Sequence, residues 1–160
     1  MTIMENIENP LAQLYDDVIL QHNRAPCHYE KRQTAQHIVE AFNPLCGDKF
    51  KLFLDIEDGR VQKATFHGYG CAISKAATSV LMGKIQNMPV ADVLKLIKMY
   101  FEGLNSGNND GATHNNREGE SADKLNPEFN AFAAVRQFPE RLTCATLSWE
   151  AAQTFFKIQS

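Results

Sequence analysis

The chain has 160 residues, 44% of them hydrophobic, which is long enough for one domain with a sizeable core and too short for two ordinary ones. Its 16 Lys and Arg against 19 Asp and Glu give a net charge of −3 and a pI near 5.9, so no basic field is available to hold a phosphate backbone and no nucleic-acid partner is expected. No apolar run approaches the roughly 18 to 20 residues that cross a bilayer, and the acidic start MTIMENIENPLAQLYDD is unlike a secretory signal, so the expected location is cytoplasmic, away from membranes.

Asn9-Pro10 precedes Leu11, Leu14, Tyr15, Val18 and Ile19, a spacing that lines one stripe of an amphipathic helix ending near His22. Asn23 to His28 reads as loop around Pro26, and His37 to Phe42 is a weak strand candidate. Phe50, Leu52, Leu54 and Ile56 alternate with Lys51, Phe53, Asp55 and Glu57, the period of a half-buried strand; Asp58-Gly59 supplies a hairpin turn, and Arg60 to about His67 is the return strand. The pattern predicts an α+β fold, a small three-stranded antiparallel sheet packed against several helices.

After Gly68-Tyr69-Gly70-Cys71 the period changes to about 3.6, and Ile73, Ala76, Ala77, Val80 and Leu81 make the apolar face of a helix starting at or just after Cys71. Ser74, Thr78 and Ser79 can be read as a polar network, but an exposed helix face accounts for them adequately and is the expectation. Pro89 opens a further helix through Val90, Val93, Leu94, Ile97, Tyr100 and Phe101 that stops near Gly103. Leu104 to Asn126 is rich in Asn, Gly and Ser and too poor in apolar side chains to offset its ordering entropy, which predicts a mobile polar insertion at about 104–126 within a single domain, 1–160. Pro127 to Phe138 predicts a short helix, and from Cys144 onward Leu147, Trp149, Ala151, Ala152, Phe155 and Phe156 predict a terminal one.

Four cysteines, Cys27, Cys46, Cys71 and Cys144, are too few and too scattered for a disulfide scaffold; metal binding or sulfur chemistry is the better expectation, with burial as a small hydrophobe the plain alternative for each. Three of them sit at predicted element ends: Cys46 in the turn Asn43-Pro44-Leu45-Cys46-Gly47-Asp48, Cys71 where a strand gives way to a helix, and Cys144 at the start of the last helix. A helix N-terminus favours thiolate over thiol, which is expected of Cys71 and Cys144. Their separations match no C-x-x-C knuckle, so any metal site must be assembled by the tertiary fold. Asp48 is a candidate fourth ligand, because a turn can aim it and Cys46 at one ion and zinc accepts carboxylate oxygen; its other reading is a turn-former or cap.

The segments Asn43 to Asp48, Gly68 to Ser74 and Arg141-Leu142-Thr143-Cys144-Ala145-Thr146-Leu147 resemble the three cysteine motifs of the U-type iron-sulfur assembly proteins, the IscU/SufU/NifU N-terminal family. Leu14-Tyr15, His22 and Pro26 fit that family's opening helix and loop, and the resemblance covers nearly the whole chain. Position 143 is Thr where IscU-type scaffolds usually carry His; Arg141 to Leu147 and the polar stretch before it are more similar to the SufU branch. The resemblance implies a zinc-dependent sulfurtransferase that accepts persulfide sulfur from a PLP-dependent cysteine desulfurase and passes it to downstream iron-sulfur assembly proteins. By the same resemblance Cys46, Asp48, Cys71 and Cys144 would bind one Zn²⁺, with Cys46 the sulfur acceptor once a desulfurase side chain displaces it, and Arg141 would contact the desulfurase or help activate the site. The competing expectation is a scaffold that builds a [2Fe-2S] cluster on the same cysteines, since thiolates suit both metals.

Cys27 departs from the family's loop and reads as incidental. His22 is expected to anchor the first helix by a hydrogen bond or to face a partner, His37, His67 and His114 to be structural or solvated, and Trp149 and Phe155/Phe156 to be core.

Overall fold

The computed structural model describes residues 17–106 and 127–159. In chain order these form α1 (Asp17–Arg24), β1 (His37–Asn43), β2 (Asp48–Glu57), β3 (Arg60–Tyr69), α2 (Ala72–Ile85), α3 (Val90–Ser106), α4 (Pro127–Asn130), a 3-10 helix (Ala133–Gln137) and α5 (Pro139–Gln159). The strands make one antiparallel sheet in the order β1-β2-β3, as the alternation predicts. Asp58 and Gly59 both have positive φ, 57° and 72°, which is what a two-residue hairpin turn matched to strand twist requires.

Asp48, Phe50, Leu52 and Leu54 point from β2 toward the helices and are buried, and Ala64 and Phe66 join them from β3. Phe53 departs from the expected alternation: it is buried on the opposite face, across from the buried Thr65. Arg32 closes that end, donating to Thr65 Oγ1 at 3.1 Å, to the Phe53 carbonyl at 2.8 Å and to Asp55 at 2.8 Å. His28 to Glu30 run along the free edge of β3, where the Phe66 N–H donates to the His28 carbonyl and the Glu30 N–H to the Phe66 carbonyl.

The layer over the other face is built on α2, which packs against α1, α5 and β3. It is buried nearly all round, so the expectation that Ser74, Thr78 and Ser79 are exposed is incorrect: all three are buried. Burial is tolerated because each hydroxyl has a partner. Thr78 Oγ1 donates to the Ser74 carbonyl at 2.8 Å and meets Ser148 Oγ of α5 at 2.6 Å. Ser79 Oγ accepts the Cys27 N–H and pairs with His22 Nδ1, each at 2.7 Å, which anchors α1 through His22 as expected.

Several boundaries shift. α1 continues to Arg24 rather than ending near His22, and its expected first turns lie outside the described residues. α3 runs to Ser106, with Leu104 buried in the core rather than opening a polar loop; 107–126, which holds His114 and most of the expected insertion, lies outside the described residues. The helix expected over Pro127 to Phe138 is α4 followed by a separate 3-10 helix. α5 begins at Pro139, five residues before Cys144. The signal for that start is in the sequence: Pro at the first helical position and Glu140 in the first turn. Among the described residues, no helix is long and apolar enough to cross a membrane.

Candidate metal and sulfur site

Three strand or helix ends converge on one corner of the molecule. Between β1 and β2 the chain turns tightly: Asn43 Oδ1 accepts the Leu45 N–H at 3.0 Å, its carbonyl accepts the Gly47 N–H at 2.7 Å, and Gly47 takes φ of 81°. This leaves Leu45 and Cys46 exposed at the tip and starts β2 with Asp48 facing inward.

Cys71 occupies the N-cap of α2, with φ of −72° and ψ of 171°, and its sulfur accepts the Ser74 N–H in the place usually taken by a Ser or Asp oxygen. Its own N–H donates to Asp48 Oδ1 at 3.3 Å. Gly70 is obligatory for this closeness, because a Cβ there would lie 2.4 Å from Ser74 Oγ, 2.9 Å from Phe50 Cε2 and 3.0 Å from Asp48 Cγ. Gly68 has φ of 149° and a Cβ there would lie 2.2 Å from the Lys49 carbonyl oxygen.

Cys144 arrives from α5, held by the aromatic core. Trp149 stacks on Tyr100 at 3.7 Å and donates from Nε1 to the Ala77 carbonyl at 2.9 Å. Tyr100 donates its hydroxyl to the carbonyl of Ala145, beside Cys144, at 2.6 Å, and burial raises the Tyr100 pKa, keeping the proton on that donor. Trp149 and Phe156 are core, as expected, while Phe155 is half-buried against the His37 ring.

The cysteine sulfurs at 46 and 144 and a carboxylate oxygen of Asp48 lie within 4.8 Å of one another. Cys71 falls outside that mutual limit, because its sulfur is turned to the Ser74 N–H, yet it hydrogen-bonds Cys144. In this pair Cys71 is the thiolate: the hydrogen bond from Cys144, and then those from Ser74, pull it down to about 5 against the opposing effect of burial. Cys144 is the thiol, pushed far up by that same hydrogen bond, by burial and by the negative charges around it. The thiolate expected at Cys144 from a helix N-terminus is therefore incorrect for the metal-free chain, since the residue sits in the second turn and is buried.

Asp48 is 4% exposed, and its Oδ2 is buried with no hydrogen-bond partner. A buried, orphaned carboxylate oxygen beside two thiols is costly unless a cation completes it, so the residues present fit a thiophilic metal. Arg141 lies one helical turn before Cys144 on the same side of α5 and is half-buried. Cys27 stays apart from this corner, its backbone tied to Ser79 and its sulfur 4.0 Å from His22 Nδ1.

Residues 14–145 match the family described as the NifU-like N terminal domain, and the chain belongs to it. It is 29% identical over 143 residues to the zinc-dependent sulfurtransferase SufU of Bacillus subtilis (strain 168), covering 89% of each chain. It is 27% identical over 147 residues to the iron-sulfur cluster assembly scaffold protein IscU of Streptococcus pyogenes serotype M1, covering 92% of this chain and 85% of that one. Its fold is similar to the crystal structure of FiSufU from Fervidobacterium islandicum AW-1, with a TM-score of 0.69 and 25% identity over 88% of this chain and 95% of the other. Overall identity to SufU and to IscU differs by so little that it expresses no preference between the two branches.

Proposed function

We propose that this chain is a zinc-dependent sulfurtransferase of the cytoplasm, accepting persulfide sulfur from a PLP-dependent cysteine desulfurase and passing it on for iron-sulfur cluster assembly. The observation that carries the reading is the asymmetry of the cluster: Cys144 and Asp48 are buried and fixed by secondary structure, whereas Cys46 rides exposed on a turn. Such a set would hold an ion through the buried members and leave the outer sulfur accessible to a partner.

Cys46, Asp48, Cys71 and Cys144 are the ligand set, and Cys71 is the member that must turn from its helix cap to join the other three. Bound zinc would keep these thiols deprotonated and protected from oxidation. The thiolate of Cys46 attacks the outer sulfur of the desulfurase persulfide; a new S–S bond forms at Cys46, the desulfurase S–S bond breaks, and the desulfurase cysteine leaves as thiolate. Arg141, permanently charged, contacts the desulfurase or helps free the site's reactive thiolate. Thr143, exposed beside Cys144, offers no imidazole where a scaffold would carry one, which favours transfer over cluster building.

The second reading, a scaffold for a [2Fe-2S] cluster, draws on the similarity to IscU. Protein purified without added metal separates them: the transferase reading predicts near one zinc per chain, no visible absorption band and a large rise in alanine formation when a cysteine desulfurase is added. A brown, iron-containing preparation that leaves desulfurase turnover unchanged overturns it.

A further inference from the structure

Among the described residues seven large hydrophobic side chains are exposed, and four of them, Ile38, Phe42, Leu45 and Tyr69, gather on the helix-free face of the sheet and on the Cys46 turn, with a fifth, Tyr29, at the edge of β3. Phe42, Lys49 and Tyr69 are direct cross-strand neighbours, so their side chains share one side and form the row nearest the turn. The Lys49 ammonium lies 5.9 Å from the centre of the Phe42 ring. Tyr29 continues the patch against the His67 ring at 4.9 Å, with the Lys75 ammonium 5.0 Å above it. The leading turn residue, Leu45, is 96% exposed and adjoins the proposed acceptor thiol.

The charge of the row nearest the turn opposes that of the whole molecule. Lys49, Lys51 and His67 stand beside the Phe42 and Tyr69 side chains, with Glu40 3.8 Å from Lys49 and Lys75 of α2 at the sheet edge over Tyr29, while the chain as a whole carries −3. An apolar patch rimmed by cations on an acidic protein is the mark of an interaction surface rather than of a solvated face. Its position decides the occupant. Any macromolecule that brings a sulfur atom to Cys46 has to cover the turn, and the Phe42, Lys49 and Tyr69 row is continuous with it.

We propose that this face docks the sulfur donor: a protein carrying a cysteine persulfide in a recess whose lip is apolar and edged with carboxylates. The inference rests on the transferase reading for the identity of the donor, and on the sheet face alone for the residues that meet it. Phe42 and Tyr69 supply buried area on docking, and Lys49 supplies orientation and encounter rate.

The test uses Phe42→Ser, Lys49→Glu and the pair together, all outside the ligand set, in full-length zinc-loaded protein with the PLP-dependent cysteine desulfurase of the same organism. Calorimetric titration gives the Kd, alanine formation gives the half-saturating concentration and the plateau rate, and sedimentation gives the oligomeric state. Each single substitution is expected to raise Kd and half-saturating concentration about tenfold, the converted worth of about 1.4 kcal/mol, with plateau rate and zinc content as in wild type. Lys49→Glu should also flatten the salt dependence of binding. Wild-type affinity in all three variants overturns the proposal, as does a wild-type dimer that Phe42→Ser dissociates, which would make a second copy the occupant. Binding without any stimulation of alanine formation overturns the transferase reading instead, and absence of binding overturns both.

Discussion

Asp48 grips the backbone N–H of Cys71 with one carboxylate oxygen, 3.3 Å away, and leaves its other oxygen buried without a hydrogen bond. The first contact joins the start of β2 to the start of α2; the second makes the metal-free corner an unfinished structure. Asp48→Asn keeps an acceptor for Cys71 and removes the buried charge. The metal-free variant should therefore be at least as stable as wild type, because a neutral amide replaces a buried charge set among the cysteine sulfurs. Zinc, by contrast, should stabilise it less. A hundredfold loss of affinity removes about 2.7 kcal/mol of ligand-linked stability at saturating metal, so the gap in Tm between loaded and stripped protein narrows, which thermal scans with and without chelator measure.

The glycines around Cys71 should rank by what their missing Cβ would strike. Gly68→Ala meets backbone at 2.2 Å and carries a positive φ, so it is the most damaging. Gly70→Ala meets side chains of Ser74, Phe50 and Asp48, which give way at a cost of about 1–3 kcal/mol and drag the Asp48 carboxylate with them. Gly47→Ala has open space around its Cβ and pays only for its φ of 81°, about 1–2 kcal/mol. Urea denaturation of the three variants should give that order, and zinc affinity should fall in Gly70→Ala as well.

The hydroxyl pair between α2 and α5 tests how the site is held from behind. Thr78→Val strips Ser148 of its 2.6 Å partner in a buried environment and should cost about 1–3 kcal/mol. Adding Ser148→Ala removes the stranded group and should recover part of the loss, giving a favourable coupling energy in a double-mutant cycle.

These hydroxyls also mark where the sequence stopped being informative. The Asp58-Gly59 hairpin, the onset of α2 at Cys71 and the three cysteine motifs are written locally, in turn chemistry and period changes, and the structure keeps them. Ser74, Thr78 and Ser79 are polar by residue type, and only the packing of α1, α5 and β3 around α2 reveals that they are inside. Phe53 reads as an outward position for the same reason: what covers it is Arg32, 21 residues away and without periodic signature. The start of α5 is written in Phe138-Pro139-Glu140, upstream of the cysteine motif whose Cys144 reads as the boundary. The convergence of positions 46, 48 and 144 lies in no local pattern, because contacts between elements far apart in the chain make it.

Acid should weaken the chain through His22. Burial beside Ser79 holds its pKa below the ordinary value of 6.5, with Glu128 opposing and Lys84 reinforcing that direction. The unfolded chain therefore takes up this proton before the folded one does. Stability should be unaffected by His22 above about pH 6.5 and decline as pH falls below that value toward the folded pKa. His22→Gln, which keeps a hydrogen-bonding group for Ser79, should remove this component of the decline, as measured by urea midpoints between pH 7 and pH 5, conditions under which the carboxylates remain largely ionised.

Sulfur transfer itself decides the account. With radioactive cysteine as substrate, the desulfurase and the zinc-loaded protein should yield label that is released by reductant and that maps, after digestion under non-reducing conditions, to the peptide containing Cys46. Cys46→Ala should carry none while Cys27→Ala carries as much as wild type. Label retained in Cys46→Ala, or found on Cys27 or Cys144 instead, would contradict the assignment of Cys46 as the acceptor.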